Sequence, residues 1–186
     1  MSREPVLALL REYSQNELSP LEREHVTETI RFVESHPDCF LRTCLEGHLT
    51  GSAWIVNRER TMTLLTHHRK LGKWLQLGGH ADGEYDLLGV AQREAEEESG
   101  LRKVAPPTLQ LFDVDRHRIP ARKEDPAHWH FDLRFLFEAD PKEALTVSHE
   151  SKELAWVALE QVTTLNAEES MARMVRKTAS ANPDRE

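Results

Sequence analysis

The first 40 residues carry apolar side chains at helical spacing. An apolar patch at residues 6–10 follows Pro5, a residue that suits the first turn of a helix. The segment Ser19-Pro20-Leu21-Glu22 then combines an N-cap serine, a proline at the first helical position and a glutamate at the third. Apolar residues recur at helical spacing after it, namely Val26, Ile30 and Val33. The pattern predicts an N-terminal helical hairpin over residues 1–40. Such a hairpin can cover a sheet edge, form a homodimer contact or shape a substrate pocket, and the alternative is a mere packing appendage.

Short apolar runs replace the helical spacing after Cys44. They are separated by polar links and loops, which is typical of strands. The predicted strands are residues 52–57, 61–66, 74–77, 109–119, 128–138 and 154–158, and the predicted helices are residues 87–99 and 166–179. This order of elements predicts an α/β domain over residues 41–186 that ends in a helix.

The segment 128–138 alternates polar and apolar residues with a period of two. Its apolar side consists of Trp129, Phe131, Leu133, Phe135 and Phe137, and its polar side of His128, His130, Asp132 and Arg134. The apolar face is expected to pack in the core. Two histidines and an aspartate on the other face suit metal binding, a contact to substrate phosphate or proton transfer. The alternative is a solvent-facing sheet surface.

The helix predicted at residues 87–99 carries three acids on one face. Glu94, Glu97 and Glu98 stand at i, i+3 and i+4, within roughly 100° of arc. Like charges at this spacing destabilise a helix by about 0.2–0.5 kcal/mol per pair, so a bound hard cation explains them better than helix stability does. Oxygen ligands of this kind suit Mg²⁺ or Mn²⁺. Arg93 precedes Glu97 by one helical turn and can pair with it.

The acids belong to a longer motif. The pattern G-x5-E-x7-R-E-U-x-E-E-x-G-U, in which U is aliphatic, is met by Gly79, Arg93, Glu94, Ala95, Glu97, Glu98, Gly100 and Leu101. The stretch resembles the Nudix box, the signature of the Nudix hydrolase superfamily. Leu77 stands where the family usually has proline, and Tyr85 occupies the position of the first motif glutamate. In the family that glutamate braces the motif arginine, so either Glu84 replaces it through a shifted loop or Arg93 is held otherwise.

The resemblance covers residues 45–165 and implies an α/β/α sandwich with a mixed sheet. It implies hydrolysis of a diphosphate bond in a nucleoside diphosphate linked to another group, with Mg²⁺ or Mn²⁺ as cofactor. The metal ligands that it implies are the Gly78 carbonyl and the carboxylates of Glu94, Glu97 and Glu98. Arg93 would orient Glu97, and a carboxylate not consumed by metal, Glu150 or Glu98, would take the proton of the attacking water.

Two loops supply further candidates. The basic loop at residues 67–74 suits substrate phosphates, although a solvated turn is the alternative. The loop at residues 146–153 lies where Nudix enzymes often carry an acidic metal ligand or base; Glu150 is the first candidate there, with Glu153 and His149 as reserves. The candidate substrate-binding residues are Arg69, Lys70, Lys73, His128, His130 and Arg134.

Composition narrows the function classes. The chain has 186 residues and a formal net charge of −8, which argues against binding to the nucleic-acid backbone through a basic surface. No apolar run approaches transmembrane length, and the N-terminus lacks a signal-peptide core. Cys39 and Cys44 lack the second half of a zinc site, so ordinary free thiols and a cytoplasmic location are expected. The expected partner is a small nucleoside diphosphate derivative.

Two other functions stay open at this point. Isopentenyl diphosphate isomerases share the fold and use histidine and glutamate ligands, but they also need a reactive cysteine in a defined motif that neither cysteine here matches. Nudix folds also serve as non-catalytic nucleotide sensors when the box is eroded. The metal carboxylates are intact in this sequence and no DNA-binding domain follows them, which favours the hydrolase.

Overall fold

A computed structural model describes residues 2–122 and 126–180. The helices in this part of the chain are α1 (Glu4–Tyr13), α2 (Pro20–Ser35), α3 (Leu87–Ser99), α4 (Leu159–Leu165) and α5 (Glu169–Ser180). The strands are β1 (Gly47–Val56), β2 (Met62–His68), β3 (Trp74–Leu75), β4 (Leu77–His80), β5 (Asp113–Ile119), β6 (His128–Glu138) and β7 (Ser151–Ala158).

The strands are hydrogen-bonded in the order β3-β2-β1-β6-β5, and in addition β4 pairs with β1 and β7 pairs with β2. The chain divides into two compact units. The first unit consists of Met1–Ser52, Gly78–Ala91 and Leu109–Phe135, and the second of Ala53–Leu77, Gln92–Thr108 and Leu136–Glu186. β1, α3 and β6 each contribute residues to both units.

In the first unit, the hairpin of α1 and α2 lies on the antiparallel pair β5 and β6. The Phe32 ring of α2 stacks on the Phe131 ring of β6, with centroids 4.1 Å apart and planes 10° from parallel. At the end of α1, the Tyr13 hydroxyl lies within hydrogen-bond distance of the Glu22 carboxylate and, at 3.2 Å, of the Phe112 carbonyl. The hairpin therefore packs on β5, the last strand in the order, and on β6. Its role in a dimer contact or a substrate pocket stays a prediction.

The start of α2 follows from its sequence. The Ser19 hydroxyl accepts a hydrogen bond from the Glu22 backbone N–H at 3.3 Å, as an N-cap serine does, and Pro20 occupies the first helical position. The helix ends at Ser35, before His36-Pro37, because a residue that precedes proline disfavours helical backbone angles.

In the second unit, β2 pairs antiparallel with the later part of β1, with β3 and with β7. The helix α5 is tied to this sheet by a hydrogen bond, at 2.8 Å, from the indole N–H of Trp54 in β1 to the Thr178 hydroxyl. Trp54 is fully buried, so the bond gives its indole the partner that a buried tryptophan needs. Met171 and Met174 of α5 are buried.

Most predicted elements are present, and the differences have physical causes. β6 has its predicted bounds, whereas β1 begins at Gly47 and not at residue 52. The prediction missed the start of β1 because its first residues are small or polar and lack apolar alternation. β5 begins at Asp113 and not at residue 109; Leu109 is 68% exposed. α4 was not predicted, since its seven residues are too few to show a helical period. The boundary between residues 40 and 41 stays a prediction.

Cys39 and Cys44 are buried free thiols, as expected. Burial raises the pKa of Cys39 to about 12, so its thiol is unreactive at neutral pH. Among the described residues, none of the helices has both the length and the apolar character that crossing a membrane requires.

Candidate active site

The helix α3 carries the acidic motif and is fixed at both ends. At its start the Asp86 carboxylate accepts a hydrogen bond from the Gly89 N–H at 3.1 Å. At its end Gly100 has φ 73°, and a Cβ atom there would lie 2.7 Å from the Thr146 Cβ. Only glycine satisfies both conditions. The end of the motif is therefore determined by backbone conformation and by the approach of the loop that contains Thr146.

The three glutamates of α3 differ in exposure. Glu98 is buried, Glu94 is half-buried and Glu97 is exposed. The Arg93 guanidinium lies 3.5 Å from a Glu94 carboxylate oxygen. The sequence predicted Glu97 as the partner of Arg93, whereas the structure pairs Arg93 with its chain neighbour. The predicted roles of Arg93 in orienting Glu97, and of the three acids as metal ligands, stay predictions.

A fourth acid, besides the three of α3, lies close enough to Glu94 to affect its pKa. Burial raises the pKa of Glu94, the Arg93 charge opposes that shift, and the charges of Glu97 and Glu150 add to it. Glu150, chosen from the sequence as the first candidate for the base, therefore acts electrostatically on the acidic face of α3. A half-buried carboxylate is repelled by the other negative charges around it, and a bound cation would offset that repulsion.

Arg69 of the basic loop binds the loop that carries Glu150. Its guanidinium donates to the His149 carbonyl at 3.1 Å and to the Ser151 carbonyl at 2.8 Å, and its backbone N–H donates to the Glu150 carbonyl at 2.8 Å. The Thr66 and Ser151 hydroxyls, 2.6 Å apart, join the same two segments. The side chain predicted to bind substrate phosphate thus holds two backbone carbonyls, and the Arg69 backbone holds the one between them. Phosphate binding by Arg69 stays a prediction.

The other candidates on these loops lie near solvent. Lys73 forms an ion pair with Glu168 at 2.5 Å, and both side chains are about half exposed. The His149 ring is 92% exposed and lies 3.7 Å from the Glu150 carboxylate. Glu153 is exposed within β7, where it stands opposite His67 of β2. An arginine-held loop and its effect on Glu94 support Glu150. The choice of base among Glu150, Glu153, His149 and Glu98 stays a prediction.

In the first unit, the polar side of β6 is buried at Asp132 and Arg134 and partly exposed at His128 and His130, so the solvent-facing alternative is wrong for Asp132 and Arg134. Asp132 and Arg134 are each 2% exposed. Arg134 donates to Asp132 at 2.7 Å, to Asp113 at 3.2 Å and to Asp115 at 3.3 Å. The Asp132 carboxylate also accepts hydrogen bonds from two hydroxyls of β1, those of Thr50 and Ser52, at 2.7 Å each. Substrate binding by Arg134 stays a prediction, now with three aspartates as its neighbours.

The charges of this buried network hold each other in the ionised form. Burial alone would raise the pKa of Asp115, but the Arg134 charge and hydrogen bonds from His117 and His25 hold it well below its usual range. Burial likewise opposes the charge of Arg134, yet the three aspartates keep its pKa above the ordinary value. Since His25 belongs to α2, the network also connects the N-terminal hairpin to β5.

Histidines gather at the other end of the same face of β6. The Nε2 atom of His130 lies 3.3 Å from Nε2 of His128 and 3.3 Å from Nε2 of His80 in β4. His48 of β1 lies beside them, with its ring centroid 4.8 Å from that of His130. Burial lowers the pKa of His48 to about 4 and that of His130 to about 2, and the surrounding histidines add to both shifts. Both rings are therefore neutral at neutral pH.

His48 and His80 were not among the residues singled out from the sequence. His48 lies in the part of β1 that the strand prediction missed, and His80 follows the two glycines of the motif. The signal that was available is a period of two: His48, Thr50 and Ser52 alternate as the polar side of a strand, as His128 and His130 do in β6.

Gly78, the predicted carbonyl ligand, lies where backbone segments meet. A Cβ atom at this position would lie 2.4 Å from the Ser52 hydroxyl and 2.8 Å from the Gly51 carbonyl, so only glycine fits. Tyr85, at the departure from the motif, places its ring against that of Phe40, with centroids 4.3 Å apart. Replacement of the missing glutamate by Glu84 stays a prediction.

The NUDIX domain family model matches residues 48–178, well over half of the chain. The chain belongs to the Nudix family. The resemblance of its motif is thereby confirmed, and so are the predicted fold class and the enzyme class, a pyrophosphohydrolase acting on phosphorus-containing acid anhydrides. No curated protein matches the sequence.

Solved structures of Nudix proteins share the fold at low sequence identity. The E. coli dihydroneopterin triphosphate pyrophosphohydrolase aligns with TM-score 0.57 and 12% identity, over 69% of this chain and 92% of that one. A C. elegans Ap4A hydrolase aligns with TM-score 0.52 and 17% identity, over 71% and 95% of the two chains. The NUDIX domain of Shewanella oneidensis NrtR, complexed with ADP ribose, aligns with TM-score 0.51 and 14% identity, over 81% and 96%.

Proposed function

We propose that this Nudix protein is a divalent-metal-dependent hydrolase that cleaves a diphosphate bond in a nucleoside diphosphate linked to another moiety, by attack of water on phosphorus. The observation that carries the proposal is the acidic face of α3. Glu94, Glu97 and Glu98 occupy the motif positions, and Glu94 is half-buried under the repulsion of Glu97 and Glu150. An active-site cation supplies the positive charge that this face needs.

The donor atoms of α3 fit a hard divalent cation, because they are carboxylate oxygens. Mg²⁺ or Mn²⁺ would be held by Glu94, Glu97 and Glu98, with the Gly78 carbonyl as the further ligand that the family resemblance implies. When bound, the ion neutralises charge on the phosphate oxygens, which is worth several kcal/mol in the transition state.

The remaining roles fall to side chains around α3. Glu150 takes the proton of the attacking water, since its carboxylate is close enough to raise the pKa of Glu94. Arg69 positions Glu150 by holding the carbonyls on either side of it. Arg93 offsets the charge of Glu94, and Lys70, which is exposed on the basic loop, binds substrate phosphate.

The substrate class is a small nucleotide derivative. The related structures are described as acting on dihydroneopterin triphosphate or Ap4A, or as holding ADP ribose. Each of these molecules contains a phosphoric anhydride, which is the group that the proposed site recognises. We also propose a cytoplasmic location, which the two free thiols support, and a homodimer, which the chromatographic mass of the purified protein tests.

A substrate panel tests the proposal. Purified protein with Mg²⁺ or Mn²⁺ should hydrolyse at least one of the nucleoside diphosphate sugars, ADP-ribose, dinucleoside polyphosphates, nucleoside triphosphates or dinucleotide cofactors. Metal-dependent binding without turnover over the whole panel would instead indicate a sensor. Interconversion of isopentenyl and dimethylallyl diphosphates would indicate an isomerase.

Glutamine variants test whether the acids bind metal. Glu97→Gln and Glu98→Gln preserve size and helix propensity, so folding should be nearly unchanged while turnover falls by orders of magnitude, at tenfold for each 1.4 kcal/mol or so. Added Mg²⁺ should raise the thermal midpoint of the wild type more than that of either variant. Glu96→Gln is the matched control, because Glu96 lies on the same helix and outside the proposed ligands. Full activity and an unchanged Mg²⁺ shift in the two variants would show a solvated acidic face.

A further inference from the structure

A second cluster of potential metal ligands lies in the first unit and contains no carboxylate of α3. One ligand nitrogen from each of His48, His128 and His130 can be chosen so that all three atoms lie within 4.8 Å of one another. The three residues come from β1 and β6, and the strands fix their backbone positions. Imidazole nitrogens suit Zn²⁺ and its transition-metal neighbours, whereas Mg²⁺ requires oxygen ligands.

Two nitrogen–nitrogen distances at His130 agree with tetrahedral coordination. Two ligands at a metal–nitrogen distance of about 2.0–2.1 Å lie about 3.3–3.4 Å apart across a tetrahedral angle. The Nε2 atoms of His128 and His130 are 3.3 Å apart, and those of His80 and His130 are also 3.3 Å apart. A neutral imidazole nitrogen either donates one proton or offers one lone pair. Two such contacts at one nitrogen are better explained by a shared cation than by a chain of hydrogen bonds.

His128 is held in the tautomer that a metal requires. Its Nδ1 atom lies 2.9 Å from the Pro126 carbonyl oxygen, which accepts hydrogen bonds and cannot donate them. Nδ1 therefore carries the proton, and the Nε2 lone pair points toward His130. A histidine that binds metal through one nitrogen usually donates from the other to a carbonyl or carboxylate in this way.

His48 supplies an independent observation. It is 4% exposed, and within the described part of the chain neither of its ring nitrogens has a hydrogen-bond partner. Burying a ring costs free energy when the hydrogen bonds that its nitrogens made to water are not replaced. Coordination of a cation by one nitrogen removes part of that cost, and it explains why a histidine occupies an interior strand position of β1.

We infer that His48, His128 and His130 bind one divalent transition-metal ion of the Zn²⁺ class, at a site made of different residues from the proposed Mg²⁺ ligands of α3. Three nitrogen ligands leave a fourth tetrahedral position for an exogenous oxygen ligand. The Nε2 atom of His80 lies 3.3 Å from that of His130. The ion would link β1 to β6 inside the first unit, so it contributes to folding as well as occupying the site.

Metal binding by the whole, tag-free protein tests this site. After chelator treatment and dialysis, the chain should take up one Zn²⁺ per molecule, and Co²⁺ in its place should give the intense visible absorption of low-coordinate cobalt. Zn²⁺ at about a hundredfold excess over its dissociation constant should raise the thermal midpoint by roughly 5–10 °C. Mg²⁺ at a thousandfold excess, roughly, should not displace Co²⁺, because nitrogen ligands do not suit it.

Variants separate this site from the carboxylates and from surface histidines. Loss of a residue that only orients a metal ligand weakens metal binding by roughly 10–100-fold. His128→Gln removes a ligand itself, so it should weaken Co²⁺ binding by more than that. His48→Ala should do the same, and because it is buried its fold is checked by circular dichroism. His149→Ala, at a 92% exposed histidine, is the matched control and should bind like the wild type.

The outcomes distinguish this site from the proposed catalytic one. Glu97→Gln should lose activity and keep the cobalt spectrum, whereas His128→Gln should lose the spectrum. Absence of Zn²⁺ uptake by the wild type, or equal Co²⁺ affinity in the wild type and His128→Gln, would overturn the inference and leave the hydrolase proposal unaffected.

Discussion

Replacing Arg134 by methionine leaves the aspartates of the buried network without their counter-ion. The guanidinium is 3% exposed and bonds to three carboxylates, those of Asp132, Asp113 and Asp115. Removing one partner of a buried ion pair costs about 3–5 kcal/mol, because the remaining charge stays buried. At about 2–4 °C per kcal/mol for a chain of this size, the thermal midpoint of Arg134→Met should fall by roughly 6–20 °C.

Arg42→Met is the matched control for this loss. Arg42 also makes two hydrogen bonds to one carboxylate, that of Asp82, at 2.6 Å each, but the two side chains are 58% and 48% exposed. An exposed pair of this kind contributes about 0–1 kcal/mol. Differential scanning calorimetry of both variants at neutral pH measures the two losses, and circular dichroism checks the fold.

The pH dependence tests the cause of the loss. In the wild type, Asp115 has a depressed pKa, so its stabilisation is present above the ordinary carboxyl pKa of about 3.9 and is lost as the pH falls below it. Without Arg134, burial raises the pKa of the same carboxyl, so the variant gains stability as the pH falls through that raised value. The gap in midpoint between wild type and Arg134→Met should therefore shrink between pH 7 and about pH 4.

Two results would refute the reasoning about the network. Equal losses in Arg134→Met and Arg42→Met would mean that burial does not set the cost. A pH-independent gap would mean that unpaired carboxylates are not its source. Wild-type stability combined with a raised KM would instead favour the sequence-based prediction that Arg134 binds substrate.

Two further predictions concern the proposed catalytic groups. If Glu84 braces Arg93 in place of the missing motif glutamate, Glu84→Gln should lower turnover far more than Tyr85→Phe does; equal, near-wild-type rates would show that Arg93 is held by something else. If Arg69 positions Glu150, Arg69→Gln should lower kcat by about tenfold, a loss of about 1.4 kcal/mol in the transition state, with little change in KM. A raised KM at unchanged kcat would indicate that Arg69 binds substrate directly.

The acidic motif and β6 could be predicted because their patterns are local. The spacing of Glu94, Glu97 and Glu98 is contained in one helix, and the alternation of residues 128–138 is contained in one strand. What each polar side chain contacts is not local. The sequence could not show that three aspartates from β5 and β6 surround Arg134, because this depends on the register of two strands.

Burial of polar residues explains one further difference, and long-range contacts explain another. The first half of β1 was missed because its interior positions hold His48, Thr50 and Ser52, which bury through hydrogen bonds and histidine contacts and not through apolar character. Arg69 was predicted to bind phosphate from its charge alone. Its contacts to the carbonyls of residues 149 and 151 join two loops far apart in sequence, and no spacing rule predicts such contacts.

Asp115 is shared by two parts of the first unit. One carboxylate oxygen lies 3.3 Å from His25 of α2, and the other lies 3.3 Å from the guanidinium of Arg134. If α2 detached while the sheet stayed intact, water would reach the charged network. Local opening of the hairpin is therefore coupled to exposure of buried charge and is a high-energy fluctuation. Amide hydrogens of α2 should accordingly exchange with solvent nearly as slowly as those of β6, although the helix lies near the start of the chain.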